Sequence, residues 1–317
     1  MEKILLGNSD MMITKIGLGT WAIGGPWEYG WGHQEDVNSI RTIHKALDHG
    51  INWIDTAAVY GLGHSEEVIG RVLKERSNNP YIFSKCSIVW DKRGRTKNSL
   101  KADSIREEIE ASLKRMNVDV IDLYQIHWPN PEQDIEEGWE TLARLKQEGK
   151  VRYIGVSNFS VSQMQKIRSI APITSLQPPY SLLNRSVEEK ILPYCLKQNI
   201  GVIVYSPMSA GLLTGKMTRE RIKNLPPDDW RIRSEEFKEP RLSHNLKLVE
   251  LMRDIAENKE FTIAEVAIAW TLKNPAVTAA IVGMRSPNQI EGVIHAPEIT
   301  LDNRDIECIE IIVDENP

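Results

Sequence analysis

Eight short apolar runs, most of them followed by a segment of helical period, recur down the chain and leave few folds open to it. They occupy residues 15–18 (KIGL), 51–54 (INWI), 81–83 (YIF), 120–126 (VIDLYQI), 151–156 (VRYIGV), 173–176 (ITSL), 200–205 (IGVIVY) and 279–282 (AAIV). Most are too short for helices and rich in Val, Ile and Tyr, which favours buried strands. Between them, residues 103–116 repeat apolar side chains at Ile105, Ile109, Leu113 and Met116, and residues 135–147 do so at Trp139, Leu142 and Leu145. The second segment stops before Gly149, a natural C-cap. Residues 187–198, 243–258 and 263–273 read as further helices. Strand and helix alternating in this way imply a parallel sheet wrapped by helices, and eight units point to a closed (β/α)8 TIM barrel.

Two features depart from a plain barrel. Asn8-Ser9-Asp10 suits the turn of an N-terminal β-hairpin. More than 70 residues separate Tyr205 from Ala279, far more than one crossover needs, and they include the loop signature Leu225-Pro226-Pro227-Asp228-Asp229. We expect a long loop insertion after strand seven. At ~150 residues per domain, 317 residues suggest two domains; no Gly- or Ser-rich linker divides them, so residues 1–317 read as a single domain.

Charge and composition exclude several classes. With 39 Lys+Arg against 44 Asp+Glu the net charge is −5, which offers no footprint for nucleic acid or an anionic membrane. No apolar stretch approaches the ~18 residues a membrane helix needs. Cys86, Cys195 and Cys308 form no C-x-x-C pair, and no two histidines sit at metal-ligand spacing. Neither a disulfide framework nor a metal site is expected, and the chain reads as cytoplasmic.

In such barrels the chemistry sits where strands end at the C-terminal face. The first polar residues after each run are Gly19-Thr20-Trp21, Asp55 with Tyr60 five residues on, Lys85, His127, Ser157-Asn158, Gln177, Tyr205-Ser206-Pro207, and Gly283 to Arg285. Singly, each has an ordinary structural alternative: Asp55 a cap, Lys85 a solvated strand end, His127 a packed loop residue, Tyr60 a turn aromatic. Converging from strands two, three and four, they make a coherent set. A phenol is a weak acid, with a reference pKa of ~10, and a neighbouring ammonium such as Lys85 would lower it. Asp55 would hold that ammonium, His127 would orient a substrate oxygen, and Tyr60 would protonate it as a general acid. The carbon needs a hydride that no side chain supplies, which implies a nicotinamide cofactor.

Longer motifs surround these residues: Gly17-Leu18-Gly19-Thr20-Trp21, Ile54-Asp55-Thr56-Ala57-Ala58-Val59-Tyr60-Gly61, Asp122 through Pro129 (DLYQIHWP), Ile154 through Phe159 (IGVSNF) and Gln177 through Ser181 (QPPYS). With Lys85, they make the chain resemble the aldo-keto reductase superfamily over nearly its whole length. Gly211-Leu212-Leu213-Thr214-Gly215-Lys216 brings it nearest to the bacterial general-stress branch. The resemblance implies NADPH-dependent reduction of a small-molecule carbonyl substrate, an aldehyde or ketone, with Asp55, Tyr60, Lys85 and His127 as the tetrad.

It also implies a cofactor site. Ser157, Asn158 and Gln177 would bind the nicotinamide carboxamide, with Tyr205 or a neighbour under the ring and Gly19, Thr20, Trp21 and Asp55 beside it. Ser206, Pro207, Met208, Gly211, Leu212, Thr214, Gly215 and Lys216 would wrap the pyrophosphate, and Gly283, Arg285, Ser286 and Gln289 would receive the adenosine 2′-phosphate. Gly292-Val293 stands where many family members have Glu-Asn, so part of the adenine contact must differ. An alternative within the family is a nicotinamide-sensing regulatory protein of the channel β-subunit kind, with little turnover.

Nine Trp against four Phe is an inversion of the usual balance. Trp53, Trp139 and Trp270 fall on regular elements and read as core. Trp21, Trp27, Trp31, Trp90 and Trp128 fall in loops at the proposed mouth, where we expect them to line a substrate pocket.

Overall fold

The computed structural model describes the backbone of residues 1–314 and the side chains through residue 310. The last three residues of the expected 1–317 domain lie outside the described residues. A hairpin of β1 (Lys3–Leu5) and β2 (Met12–Thr14) opens the chain. The first barrel unit is β3 (Ile16–Gly19) with α1 (Asp36–Asp48), and the second is β4 (Trp53–Asp55) with α2 (His64–Lys74). Strand β5 (Tyr81–Cys86) leads into an extra hairpin, β6 (Ile88–Trp90) and β7 (Thr96–Asn98), before α3 (Ala102–Met116). Then come β8 (Ile121–Ile126), α4 (Ile135–Gln147), β9 (Val151–Ser157), α5 (Val161–Ile167), β10 (Ser175–Gln177) and α6 (Ile191–Lys197).

The seventh barrel strand, β11 (Gly201–Val204), is followed by the expected insertion, which carries α7 (Arg219–Lys223) and α8 (Arg241–Asn258). Helix α9 (Ile263–Lys273), β12 (Val277–Gly283) and α10 (Asn303–Asp314) complete the order. The eight barrel strands close on themselves, every neighbouring pair parallel.

Strand side chains alternate between lumen and shell. Trp53, Phe83, Leu123, Ile203 and Ile281 meet inside the barrel, where Leu6, Met11 and Ile13 of the N-terminal hairpin join them as a plug. The Trp53 indole donates to Thr14 O at 2.9 Å. It lies so close to β3 that a Cβ on Gly17 would meet its ring at 2.1 Å, so only glycine fits there. Outward-facing residues such as Ile54, Ile82, Tyr124 and Val156 pack against the helices in the larger core.

One helix is shorter than its period suggests: residues 187–190 form a turn, and α6 starts only at Ile191. Pro193 explains this. It lacks the N–H a helix interior needs, and a start at Ile191 leaves it in the first turn, where no partner is required.

The β6–β7 hairpin was not legible as an element. It starts at Ser87, whose φ of +87° turns the chain out of the barrel. Glu108 of α3 accepts from the Ser87 N–H at 3.0 Å, while its other carboxyl oxygen is buried without a partner. Burial pushes this carboxyl up to about 8 from 4.5, against the opposing backbone N–H bonds. The folded state thus keeps a proton that the unfolded chain has released, and stability falls as pH rises through about 8. Glu108→Gln is expected to flatten that loss: between about pH 5 and about pH 9, Tm should drop several degrees less than in the parent protein. Parallel Tm profiles for the two proteins would show that Glu108 does not titrate in this way.

Candidate active site

The alternation that builds the lumen also builds the site. Asp55 stands two residues beyond Trp53, Lys85 two beyond Phe83, and Tyr205 two beyond Ile203; His127 is four beyond Leu123. Each polar side chain therefore points the same way as the core residue below it, one layer nearer the C-terminal mouth. Tyr60 arrives differently, from the turn after β4. That turn packs against the first loop so tightly that a Cβ on Gly61 (φ +62°) would meet Gly24 O at 1.9 Å.

Lys85 is the hub. Its ammonium donates to Asp55 Oδ1 at 2.7 Å, to Thr56 O at 2.9 Å and to the Tyr60 hydroxyl at 3.4 Å. Gln177 Nε2 donates to the other Asp55 oxygen at 2.8 Å, so both carboxylate oxygens are held. The His127 ring stands edge-on to Tyr60, with centroids 5.8 Å apart. Ser65 braces the start of α2. Gly63 occupies the N-cap position, and the Ser65 hydroxyl instead bonds Thr20 and Thr56, tying the first turn of α2 to the strand ends.

Electrostatics corrects one expectation. The Lys85 ammonium was expected to lower the Tyr60 pKa, but burial, reinforced by the Asp55 charge and Tyr205, holds the phenol well above 10. Desolvation of the phenolate outweighs the ammonium because Asp55 already pairs with that ammonium. Burial likewise raises Asp55 and lowers Lys85, the ion pair between them opposing both shifts. His127 is driven well below 6.5 by burial and then by Lys85, so its imidazole is neutral near pH 7. The site thus presents a phenol that retains its proton beside a neutral imidazole.

These groups open onto a cavity of about 740 Å³. Asp55, Tyr60 and His127 line it, with Lys85 directly behind. Of the expected cofactor-binding residues, all but Thr20, Leu212, Gly215 and Ser286 are in its wall. Thr20 is buried, its hydroxyl donating to Asp55 O, and Leu212 packs with Met217, Phe237 and Leu242. Gly215 lies against Ile263, and Ser286 opens a short turn in which Gln289 Oε1 accepts from its N–H. Asn158 is already committed: its Oδ1 accepts from the Tyr205 hydroxyl at 2.9 Å and its Nδ2 donates to His127 O at 3.0 Å.

Lys216, Arg221, Arg231 and Arg285 line the wall toward the β11 and β12 ends, and Arg231 is neutralised by Asp229 through bonds of 2.9 and 2.6 Å. Arg285 is oriented by Gln34 Oε1 at 2.9 Å and His33 O at 2.6 Å, both neutral acceptors. Among the described residues Lys216, Arg221 and Arg285 have no carboxylate partner, and cations so placed suit a polyanion such as a dinucleotide's phosphates, so the residues present fit the implied cofactor.

Trp21, Trp27, Trp31 and Trp128 line the cavity. Trp90 does not: it ends β6, and the Arg115 guanidinium lies 5.8 Å over its ring.

Two residues of the insertion were missed. Trp230 stacks on Trp21 with centroids 5.2 Å apart and stands edge-on to Trp31 at 5.8 Å. Arg231 lies 4.6 Å over the Trp31 ring. The Trp230 N–H donates to Gly30 O, and Trp31 bridges Asp229, so the insertion is clasped to the first loop. A Trp-Arg pair within a charged, proline-rich loop was the one available signal.

Comparison with known proteins agrees with this architecture. The profile described as "Aldo/keto reductase family" matches residues 15–314. The chain is 39% identical to "Aldo-keto reductase YhdN" of Bacillus subtilis, over 99% of this chain and 94% of that protein, in keeping with the general-stress branch. It is 34% identical to the "NADH-specific methylglyoxal reductase" of Escherichia coli, over 96% of each. The solved structure of the glycerol dehydrogenase AKR11B4 from Gluconobacter oxydans superposes with a TM-score of 0.90 at 39% identity, covering 100% of this chain and 97% of that one. A closed parallel barrel, a buried Lys-Asp pair beside a tyrosine and full-length likeness to these reductases lead to one assignment: the chain belongs to the aldo/keto reductase family.

Proposed function

We propose that the protein reduces aldehydes or ketones to alcohols with NADPH, Tyr60 supplying the proton. The observation that carries this reading is the Tyr60 hydroxyl, 3.4 Å from the Lys85 ammonium, at the wall of a cavity large enough for a dinucleotide and a substrate. When bound, the nicotinamide supplies a hydride to the carbonyl carbon. The neutral His127 imidazole donates a hydrogen bond to the carbonyl oxygen and fixes its direction. Tyr60 then passes its proton to that oxygen as negative charge develops there. The phenolate left behind faces the Lys85 ammonium, which Asp55 and Gln177 hold in place.

Lys216, Arg221 and Arg285 would hold the cofactor phosphates, with Arg285 at the 2′-phosphate. Trp21, Trp27, Trp31 and Trp128 would form the apolar wall of the substrate cleft.

Initial rates with NADPH and with NADH on one reactive aldehyde test both parts. Multiple turnovers support the reductase; a single turnover with tight retention of nicotinamide would favour a sensing protein. Arg285→Ala is expected to raise the KM for NADPH about 10- to 100-fold, the worth of a charged hydrogen-bond pair, and to change that for NADH little. Equal losses with both cofactors would remove Arg285 from the 2′-phosphate.

A further inference from the structure

We propose that Gln34, in the loop between β3 and α1, is a positioning residue that sets Arg285 for a 2′-phosphate and so gives the protein its preference for the phosphorylated dinucleotide. The inference rests on the reading that Arg285 meets that phosphate. The contact joins residues 251 apart in the chain and is reciprocal. Arg285 Nε donates to Gln34 Oε1 at 2.9 Å, and Gln34 Nε2 donates back to Arg285 O at 2.9 Å. Together these bonds fix the direction of the amide, because a guanidinium N–H only donates and a carbonyl only accepts. The other Nε2 hydrogen goes to the Ser39 hydroxyl at 3.1 Å, and Ser39 is fully buried on α1. Gln34 thus has both donors committed and ties the first barrel helix to the loop after β12.

The neutrality of this partner is what matters chemically. A guanidinium carries five N–H groups in a planar fork. Gln34 takes the one on Nε, and His33 O takes one on Nη2 at 2.6 Å. Both N–H groups of Nη1 and the second of Nη2 are left for a ligand, and the positive charge is undiminished. The acids that follow Gln34 are committed elsewhere: Glu35 to His33 at 2.6 Å, and Asp36 to His64 at 2.8 Å and to Arg71 at 2.6 Å.

The charges that act on Arg285 are mostly cations. Burial, joined by Arg231 and Arg221 and opposed by Asp229, pulls its guanidinium below the ordinary value. A phosphate dianion would relieve that repulsion. A carboxylate at position 34 would relieve it first and leave the phosphate facing a neutralised pair.

Arg285 is also held along its backbone. Its N–H donates to Gln289 Oε1 at 2.6 Å while its carbonyl accepts from Gln34. A side chain already in place loses little freedom when a ligand arrives.

The experiment is equilibrium binding of NADP+ and of NAD+, read by titration calorimetry on the full chain. The two differ only in the 2′-phosphate, and neither measurement needs turnover. The parent protein is expected to bind NADP+ the more tightly. Gln34→Glu should weaken NADP+ about 10- to 100-fold and leave NAD+ within about twofold. Gln34→Met has nearly the same length and no charge; it should weaken NADP+ about 3- to 10-fold, the cost of ordering a freed arginine. In an Arg285→Ala background, Gln34→Met should add nothing further, because the two residues act as one unit.

A brace that served only the fold would behave differently, lowering Tm and weakening both dinucleotides alike. Equal losses for NADP+ and NAD+, or an unchanged ratio in Gln34→Glu, would overturn the proposal and leave the reductase reading intact. So would a parent protein that binds the two equally. Should Gln34→Glu not fold, Gln34→Met decides: a loss confined to NADP+ supports the proposal, and an equal or absent loss overturns it. If neither dinucleotide binds, the reductase reading itself fails and the proposal falls with it.

Discussion

Tyr60→Phe is expected to cut aldehyde reduction by about 10³-fold while NADPH still binds with nearly unchanged affinity. The substitution removes one oxygen and leaves the ring, so the stacking on Trp21 at 6.4 Å and the edge contact with His127 persist. What disappears is, among the described residues, the only phenolic proton within reach of both the Lys85 ammonium and the cavity. His127 cannot replace it: burial keeps its imidazole neutral, and a neutral imidazole is a far weaker acid than imidazolium. Cofactor affinity, read by fluorescence titration, separates a chemical loss from a binding loss. Turnover above about a tenth of the parent value would mean that another group delivers the proton.

Lys85→Met should act on stability and chemistry together. The ammonium is fully buried and 2.7 Å from Asp55, so its removal strands a buried carboxylate. Breaking a pair of this kind costs about 3–5 kcal/mol, because the remaining charge has neither water nor a counterion. Gln177 still donates to Asp55, which offsets only part of that cost. Turnover should fall at least about 10²-fold, since the phenolate formed on proton transfer loses its cation. The double variant Lys85→Met, Asp55→Asn distinguishes the two effects. It should recover most of the stability, measured by urea denaturation, and none of the activity. Activity restored along with stability would show that Lys85 acts only as a structural partner of Asp55.

Much of the fold was legible because it is periodic. Eight apolar runs placed the barrel strands to within a few residues, and helices 135–147 and 263–273 matched α4 and α9 at both ends. The positions of Asp55 and Lys85 were legible for the same reason. On a strand, a residue two positions beyond a buried one must share its face, so Asp55 and Lys85 were bound to reach the lumen with Trp53 and Phe83. The β6–β7 hairpin was harder to read. Its strands are three residues each, and Thr96-Lys97-Asn98 has no apolar residue to betray alternation. Trp90 was misplaced because its ring is taken up by the Arg115 guanidinium of α3, a tertiary contact.

The sequence by itself determined which residues face the barrel lumen and in what layer, because side-chain alternation is a local property of each strand. Local periodicity also set the order of strands and helices and the position of the long insertion. Only the tertiary structure decided the protonation of Tyr60 and His127, since desolvation sums over every atom that excludes water from the site. It alone brought Trp230 onto Trp21 and Trp31 across about two hundred residues of chain. Contacts between loops so distant in sequence leave no periodic trace, because nothing repeats along the chain to announce them.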